Sequence, residues 1–412
     1  MSKLLVTQYH TEVEKIIQYG GSRKETSIRV AFQNLLNEYC KPRDFQLIPE
    51  LDYKTRNGKI VYPDGTVKDA KKMSFFVQTY QEKFENKGQE EFSELIKWDE
   101  DLRSYFRRGI KKVFDETSIK SSVYRPFCKQ YLYFDKHFNG RTYQWFDIYR
   151  ENNSQNKYIA FSALGNTKPF HCLATNSIID LHLTGDSQCL PLYRYDKDGK
   201  RIDNITDWGL KQFQNHYNDT TITKLDIFHY TYAVLHNPVY REKYELNLKR
   251  EFPRLPFYDD FQQWVSWGKQ LMELHINYET VAPYPLKRID LPLGVDVRKA
   301  CRRQVSRRED KKTTPKAKLK ADKINQSIIL DDVTTLKDVP KLAWEYHLGN
   351  RCALMWILDQ YKEKKPKDPT IAEKFNTYRF ADYKEQVIDL LQRVCTVSVE
   401  TMQIIQQMEG EK

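Results

Sequence analysis

The sequence predicts an α+β protein: a mixed-sheet middle region with helices on either side. Two observations carry that prediction. Between residues 121 and 200, short runs of β-branched and aromatic residues lie between turn residues, as strands do. On both sides of that stretch, apolar residues recur at intervals of three and four, the spacing of one helix face. With 412 residues, the chain is long enough for two or three domains and an ample core.

In chain order, Val13, Ile16 and Ile17 begin a helical pattern that Gly20-Gly21 interrupts. Thr26 opens a second helix with Ile28, Val30, Phe32, Leu35 and Leu36 on its apolar face. Phe45–Ile48 and Ile60–Tyr62 read as short strands. Residues 71–120 read as a helical connector, marked first by Phe75, Phe76, Tyr80 and Phe84. Leu102, Phe106, Ile110, Val113 and Phe114 repeat the pattern further on. Strand candidates follow at 131–134, 141–148, 157–162 and 190–195, with a hairpin-type turn at Asp196–Gly199. Thr206 caps a helix. Thr223 caps the next, with Asp226 three residues on as an acidic capping box. That helix covers 225–236, and its neighbours cover 240–252 and 261–275.

Val297–Lys323 then holds twelve Lys or Arg against three acids, nine of the eleven net positive charges, and reads as a basic linker. Beyond it, Ile328–Leu330 reads as a strand, Cys352–Tyr361 as a helix and Tyr383–Gln407 as a long amphipathic helix. The boundaries that result are 1–70, 71–120, 121–290, 291–325 and 326–412.

A net charge of +11 favours a nucleic acid or an acidic membrane surface as partner. No apolar run approaches the length of a membrane span, and the opening MSKLLVTQYHTEVEK lacks a signal-peptide core. Seven cysteines stand singly with no CxxC, which suits reduced thiols in the cytoplasm. His171, Cys172, His182 and Cys189 match no common zinc spacing, so no metal site is assigned. No phosphate-cradling GxxxxGK[ST] loop is present. Neither the glycine-rich loop nor the Pro-Pro-aromatic loop of an amino-directed DNA methyltransferase is present.

Two stretches carry candidate chemistry. Pro63-Asp64-Gly65 closes a strand, as the first carboxylate of a metal-dependent nuclease does. The same tripeptide is a common turn. Asp69-Ala70-Lys71 lies too close to Asp64 to complete the signature, and Glu85-Asn86-Lys87 falls in a helical pattern. The second stretch, Ser121–Phe261, interleaves aromatics with Arg, Lys and His, as suits a surface meeting a polyanion with stackable bases. Composition alone favours a packed core with a few salt bridges over that reading.

The blocks YRPFCKQYLYFD, NTKPFHCLATNSIIDLHLTGDSQCLPLYRYD, ITDWGLKQFQNHY and DIFHYTYAVLHNPVYREKYELNLKREFPRLPF resemble the C-terminal target-recognition region of a known family. It is the type ISP and related single-polypeptide, adenine-specific restriction–modification DNA methyltransferases. WEYHLGNRCALMWILDQYKEK and the residues after it resemble the helical end of these proteins. QYGGSRKETSIRVAFQNLL with GKIVYPDGTVKDA resembles their nuclease-like N-terminus.

The resemblance implies sequence-specific binding of double-stranded DNA by a mixed-sheet target-recognition domain. It sets that domain between a truncated α/β nuclease-like N-terminus with a helical connector and a helical C-terminal region. It also implies a chain lacking the catalytic middle. S-adenosylmethionine and Mg²⁺ then belong to full-length relatives, and a separate methyltransferase or helicase chain is the expected partner. On this reading Arg125, Lys129, Arg141, Lys168, His171 and His182 are candidate DNA contacts, each histidine being equally readable as a satisfied core residue. Arg302, Arg303, Arg307 and Arg308 add phosphate contacts from the basic tract. Asp64 and Glu50 would be a nuclease remnant. The alternatives are a residual Mg-dependent nuclease, and a non-catalytic remnant or regulator of a full-length relative.

Overall fold

The computed structural model describes residues 53–54, 60–61, 68–85, 98–140, 142–149, 156–291, 315–364 and 378–409. The elements expected before residue 49 lie outside them. The chain forms two compact units, the smaller from 1–121, 131–141 and 365–377, the larger from 122–130, 142–364 and 378–412.

In the smaller unit, β1 (Tyr53–Lys54) pairs antiparallel with β2 (Ile60–Val61), the second being an expected strand. The connector supplies α1 (Lys68–Glu85) and α2 (Glu100–Arg107). Asp99 caps α2 by accepting from Leu102 N. Tyr80, Phe84, Trp98 and Leu102 form a core, with Phe76, Phe106 and Phe138 against it. The Tyr80 hydroxyl donates to the Ile110 carbonyl at 2.6 Å, the partner a buried phenol needs. The expected helix through Phe114 stops early. Gly109 takes φ +74°, a conformation that ends an α-helix, and Phe114 stacks on Tyr133 instead.

A hairpin of β3 (Ile119–Arg125) and β4 (Cys128–Tyr133) gives its tip, Ser122–Gln130, to the larger unit. There Phe127, at φ +57° and 1% exposed, packs on Tyr278. The single turn α3 (Trp145–Ile148) replaces an expected strand, because Ile148 N and Tyr149 N donate to carbonyls four residues back. β5 (Tyr158–Ser162), β6 (Cys172–Thr175), β7 (Ile178–Ile179) and β8 (Ser187–Pro191) follow. β5 is central in an antiparallel sheet of order β6-β5-β8 and is buried along its length, whereas β7 runs parallel to β3. β9 (Tyr193–Tyr195) and β10 (Arg201–Asp203) make a two-stranded ribbon around the expected turn.

Helices α4 (Asp207–Tyr217) and α5 (Lys224–Val234) start at the expected caps, and the Thr223–Asp226 capping box is formed on both sides. The expected helix over 240–252 divides at Tyr244 into α6 (Pro238–Lys243) and α7 (Glu245–Arg250). α8 (Phe261–Ile276) lies against α5, and α5 is apolar almost all round because it is buried almost all round. The two helices meet so closely that a Cβ on Gly268 would stand 1.8 Å from the His229 carbonyl oxygen.

β11 (Lys287–Asp290), β12 (Ala317–Asp322), β13 (Ser327–Asp331) and β14 (Thr334–Lys337) form an antiparallel sheet of order β11-β14-β13-β12. β12 occupies the end of the expected basic linker, anchored by the buried Leu319 between exposed lysines. β15 (His347–Leu348) and β16 (Arg351–Cys352) pair before α9 (Ala353–Gln360). α10 (Phe380–Met408) closes the fold, burying Val387, Leu391, Val394, Ser398 and Thr401 on one stripe. His275 links α5 to α10: its Nδ1 is 2.6 Å from the Tyr232 hydroxyl and its Nε2 is 2.8 Å from Thr401 Oγ1.

Candidate nucleic-acid interface

The β6-β5-β8 register places two loops at one end of the sheet. Phe161 pairs with Cys172 and Ser162 with Ser187, so the chain between β5 and β6 and the chain entering β8 leave together. The first loop covers 163–171 and the second 180–186. Gly165 at φ +78° and Gly185 at φ +144° make turns that other residues adopt with strain.

The loops are bonded to one another. Ala163 N donates to the Asp186 carbonyl at 2.9 Å, and Asn166 Nδ2 donates to the same oxygen at 3.3 Å. Asn166 Oδ1 accepts from Lys168 N at 2.9 Å. Gly165 N donates to the Lys249 carbonyl at 2.8 Å, bringing the end of α7 alongside. The β15–β16 turn abuts from another side: a Cβ on Gly349 would lie 3.5 Å from Lys168 Cδ.

Four of the candidate contacts converge on the second loop. Arg125 reaches Asp180 at 3.1 Å while its guanidinium covers the Tyr124 ring at 3.9 Å. His182 pairs with Asp186 at 3.0 Å, both side chains being largely exposed. Lys168 donates through Nζ to the Thr184 carbonyl, and His171 meets the Thr184 hydroxyl through Nε2.

These residues are not equivalent. His171 is 3% exposed, and its Nδ1 is 2.9 Å from both the Pro169 carbonyl and Ser162 Oγ. A carbonyl only accepts, so Nδ1 carries the proton and Nε2 accepts from Thr184. The imidazole is neutral, and burial together with the Arg241 and Lys168 charges pushes its pKa down to about 4. It ties the loops together from beneath. Arg125 and His182 each have a carboxylate partner. Lys168 has none among the described residues, and one carbonyl leaves two of its three N–H groups to donate elsewhere. Among the four candidate contacts, Lys168 is therefore the cation without a carboxylate partner.

Lys129 lies apart from this group, 2.6 Å from Glu279 and over the Tyr278 ring. Arg141, Asp64, Glu50, Arg302, Arg303, Arg307 and Arg308 lie outside the described residues. Among the described residues, no group of three or more His, Cys, Asp or Glu is placed to hold a metal ion.

Sequence reasoning missed Asn166, which bridges the loops, and Arg241, which supports them. Arg241 Nε donates to the Leu235 carbonyl at 2.6 Å, and its guanidinium stands 5.7 Å from the Phe170 ring centre. An Asn beside a Gly reads only as a turn. Arg241 had one signal, its place just after the helix start at Asn237-Pro238. Of the β9–β10 ribbon the sequence showed the first strand and the turn but not β10. Arg194 and Ile202 stand opposite one another on its exposed side, and Lys224 holds its base through Asp203 at 3.0 Å and Asp207 at 2.6 Å. A two-stranded ribbon has the width of a DNA major groove.

The sequence profile of the family described as "Type ISP C-terminal specificity domain" matches residues 53–390. No curated protein matches the chain. Among solved structures, the cryo-EM structure of the DrdV–DNA complex is similar at 42% identity and a TM-score of 0.75, over 89% of this chain and 36% of that one. A nuclease-deletion mutant of the type ISP restriction–modification enzyme LlaGI, in complex with a DNA substrate mimic, is similar at 26% identity and 0.66, over 83% and 31%. The ATP-dependent type ISP restriction–modification enzyme LlaBIII, bound to DNA, shares the fold at 23% identity and 0.65, over 88% and 23%. The chain spans about a third or less of these proteins' lengths, the shares being 36%, 31% and 23%.

Proposed function

The chain belongs to the type ISP C-terminal specificity domain family, and from that premise we propose that it reads duplex DNA sequence within a restriction–modification system. The loops 163–171 and 180–186 are the reading element, with Lys168 the donor aimed at DNA and Arg125 and His182 holding the loop around it. One observation carries the reading: dispersed basic residues gather on a single sheet end, where Lys168 lacks a counter-charge. That DrdV, 42% identical over most of this chain, was solved as a DNA complex supports it.

Methyl transfer and helicase work are assigned to parts of the system outside these 412 residues. On this reading residues 121–290 are the target-recognition region, 71–120 the connector and 326–412 a C-terminal region in which β13–β16 precede helices α9 and α10. The tract around Arg302, Arg303, Arg307 and Arg308 adds sequence-independent affinity. The nuclease reading of Asp64 and Glu50 rests on sequence alone. Five described cysteines are free thiols, in keeping with action in the cytoplasm.

The test is selection from a randomised duplex library. Wild type is expected to enrich one motif, and Lys168→Ala to lose about 1–2 kcal/mol of discrimination at one position of it. If wild type enriches no motif, the recognition reading fails.

A further inference from the structure

The β11-β14-β13-β12 sheet has one face turned to α10. On that face Arg288 pairs with Glu385 of α10 at 2.7 Å, and Leu319, Ile328, Leu330 and Leu336 are buried. Alternation along each strand puts Lys287, Ile289, Thr335, Lys337, Ile329 and Lys320 on the other face. Ile289, Thr335, Ile329 and Lys320 form a row across the four strands.

On this solvent face Lys287 and Lys337 are direct cross-strand partners. Like charges directly opposite one another destabilise an antiparallel pair. Both side chains are exposed, and among the described residues neither has an ion-pair or hydrogen-bond partner. Lys320 is likewise exposed, and it has no ion-pair partner among the described residues. The acids that this alternation puts on the face are already engaged, Asp322 by Asn325 N at 3.0 Å and Asn325 Nδ2 at 2.8 Å and the buried Asp331 by Lys384 at 2.8 Å. Lys318 is paired with Asp332 at 2.8 Å. A sheet face that is merely solvated has no need of the repulsive pair, because opposite charges there would be stabilising.

The chain connecting this sheet's outer strands adds to the same sign. β11 and β12 are its two edges, and residues 292–314 between them carry eight Lys or Arg against three acids.

We infer that this solvent face is a phosphate-contacting surface that holds duplex DNA independently of sequence, with Lys287 and Lys337 as a cationic pair whose counter-charge is supplied by the DNA backbone. The inference rests on the DNA-reading function proposed above. It assigns affinity to this sheet and discrimination to the loops 163–171 and 180–186. Each phosphate contact releases counterions, so each steepens the fall of log K with log salt by about 0.9.

The experiment measures binding of the full chain by fluorescence anisotropy, on a motif-bearing duplex and on a scrambled one, across a salt series. For Lys287→Ala/Lys337→Ala the slope is expected to fall by about 1.8, two contacts' worth, on both duplexes alike. The selected motif should stay the same, and the melting temperature should not drop, since a repulsive pair has been removed. Lys269→Ala, an exposed lysine on α8, is expected to leave the slope unchanged. A wild type that enriches a motif, joined to a double variant with wild-type slope, overturns this inference alone. A double variant that loses the motif but keeps its slope overturns it too, by placing the pair in base reading. A wild type that binds no duplex at all overturns the recognition reading beneath it.

Discussion

Lys168, His171 and His182 look alike in the sequence as basic residues among aromatics, and the structure gives each a different task. Residue type was legible. The partner was not, because Arg125 finds Asp180 and Lys129 finds Glu279 only through the fold. Burial decides for His171. Its ordinary pKa of 6.5 falls to about 4 in the folded chain, so the unfolded chain binds the extra proton first. The stability this residue contributes is therefore complete above pH 6.5 and is lost as pH falls from 6.5 towards 4. Buried His229, also lowered to about 4, and His275, lowered to about 3, act in the same direction. The His171 share across that window is on the order of 3 kcal/mol. Urea unfolding of wild type and His171→Gln at pH 7 and pH 5 checks this. The variant should be less stable at pH 7 and should lose less on acidification. Equal losses would show that His171 titrates normally.

Elements were most legible where a local signal was strong. The Thr206 and Thr223 caps sit where the sequence put them, as does the Asp196–Gly199 turn. Features set by tertiary contact were hidden. The β3–β4 tip depends on Phe127 adopting a left-handed conformation so that its ring reaches Tyr278. β12 depends on one apolar side chain, Leu319, in a run of lysines that reads as a linker. The α5–α8 contact depends on Gly268, whose place within a helix pattern suggests only a weakened helix. Gly268→Ala would force the two helices apart at the His229 carbonyl and is expected to cost about 3 kcal/mol. Thermal melting is the check. A variant melting with wild type would mean the helices part freely.

For the whole molecule, the α+β class and the basic balance were legible from composition and periodicity. The division into two units was not, since the smaller unit takes its residues from three separated parts of the chain. Nor was the site, because the loops that make it are joined through β5, a strand buried on both faces whose neighbours only the fold reveals.

The outer strands of the four-stranded sheet carry a last consequence, concerning covalent continuity. β11 precedes residues 292–314 and pairs with β14, which follows them. Arg288 and Glu385, and likewise His275 and Thr401, also join the portions on either side. A peptide bond inside that segment is therefore not what keeps the two portions together. With a specific protease site placed between Arg303 and Gln304, cleavage should yield two polypeptides that travel as one particle on a sizing column and melt in one transition. Two separate peaks would contradict the pairing. Two polypeptides that hold together would let this protein be made as halves that reassemble.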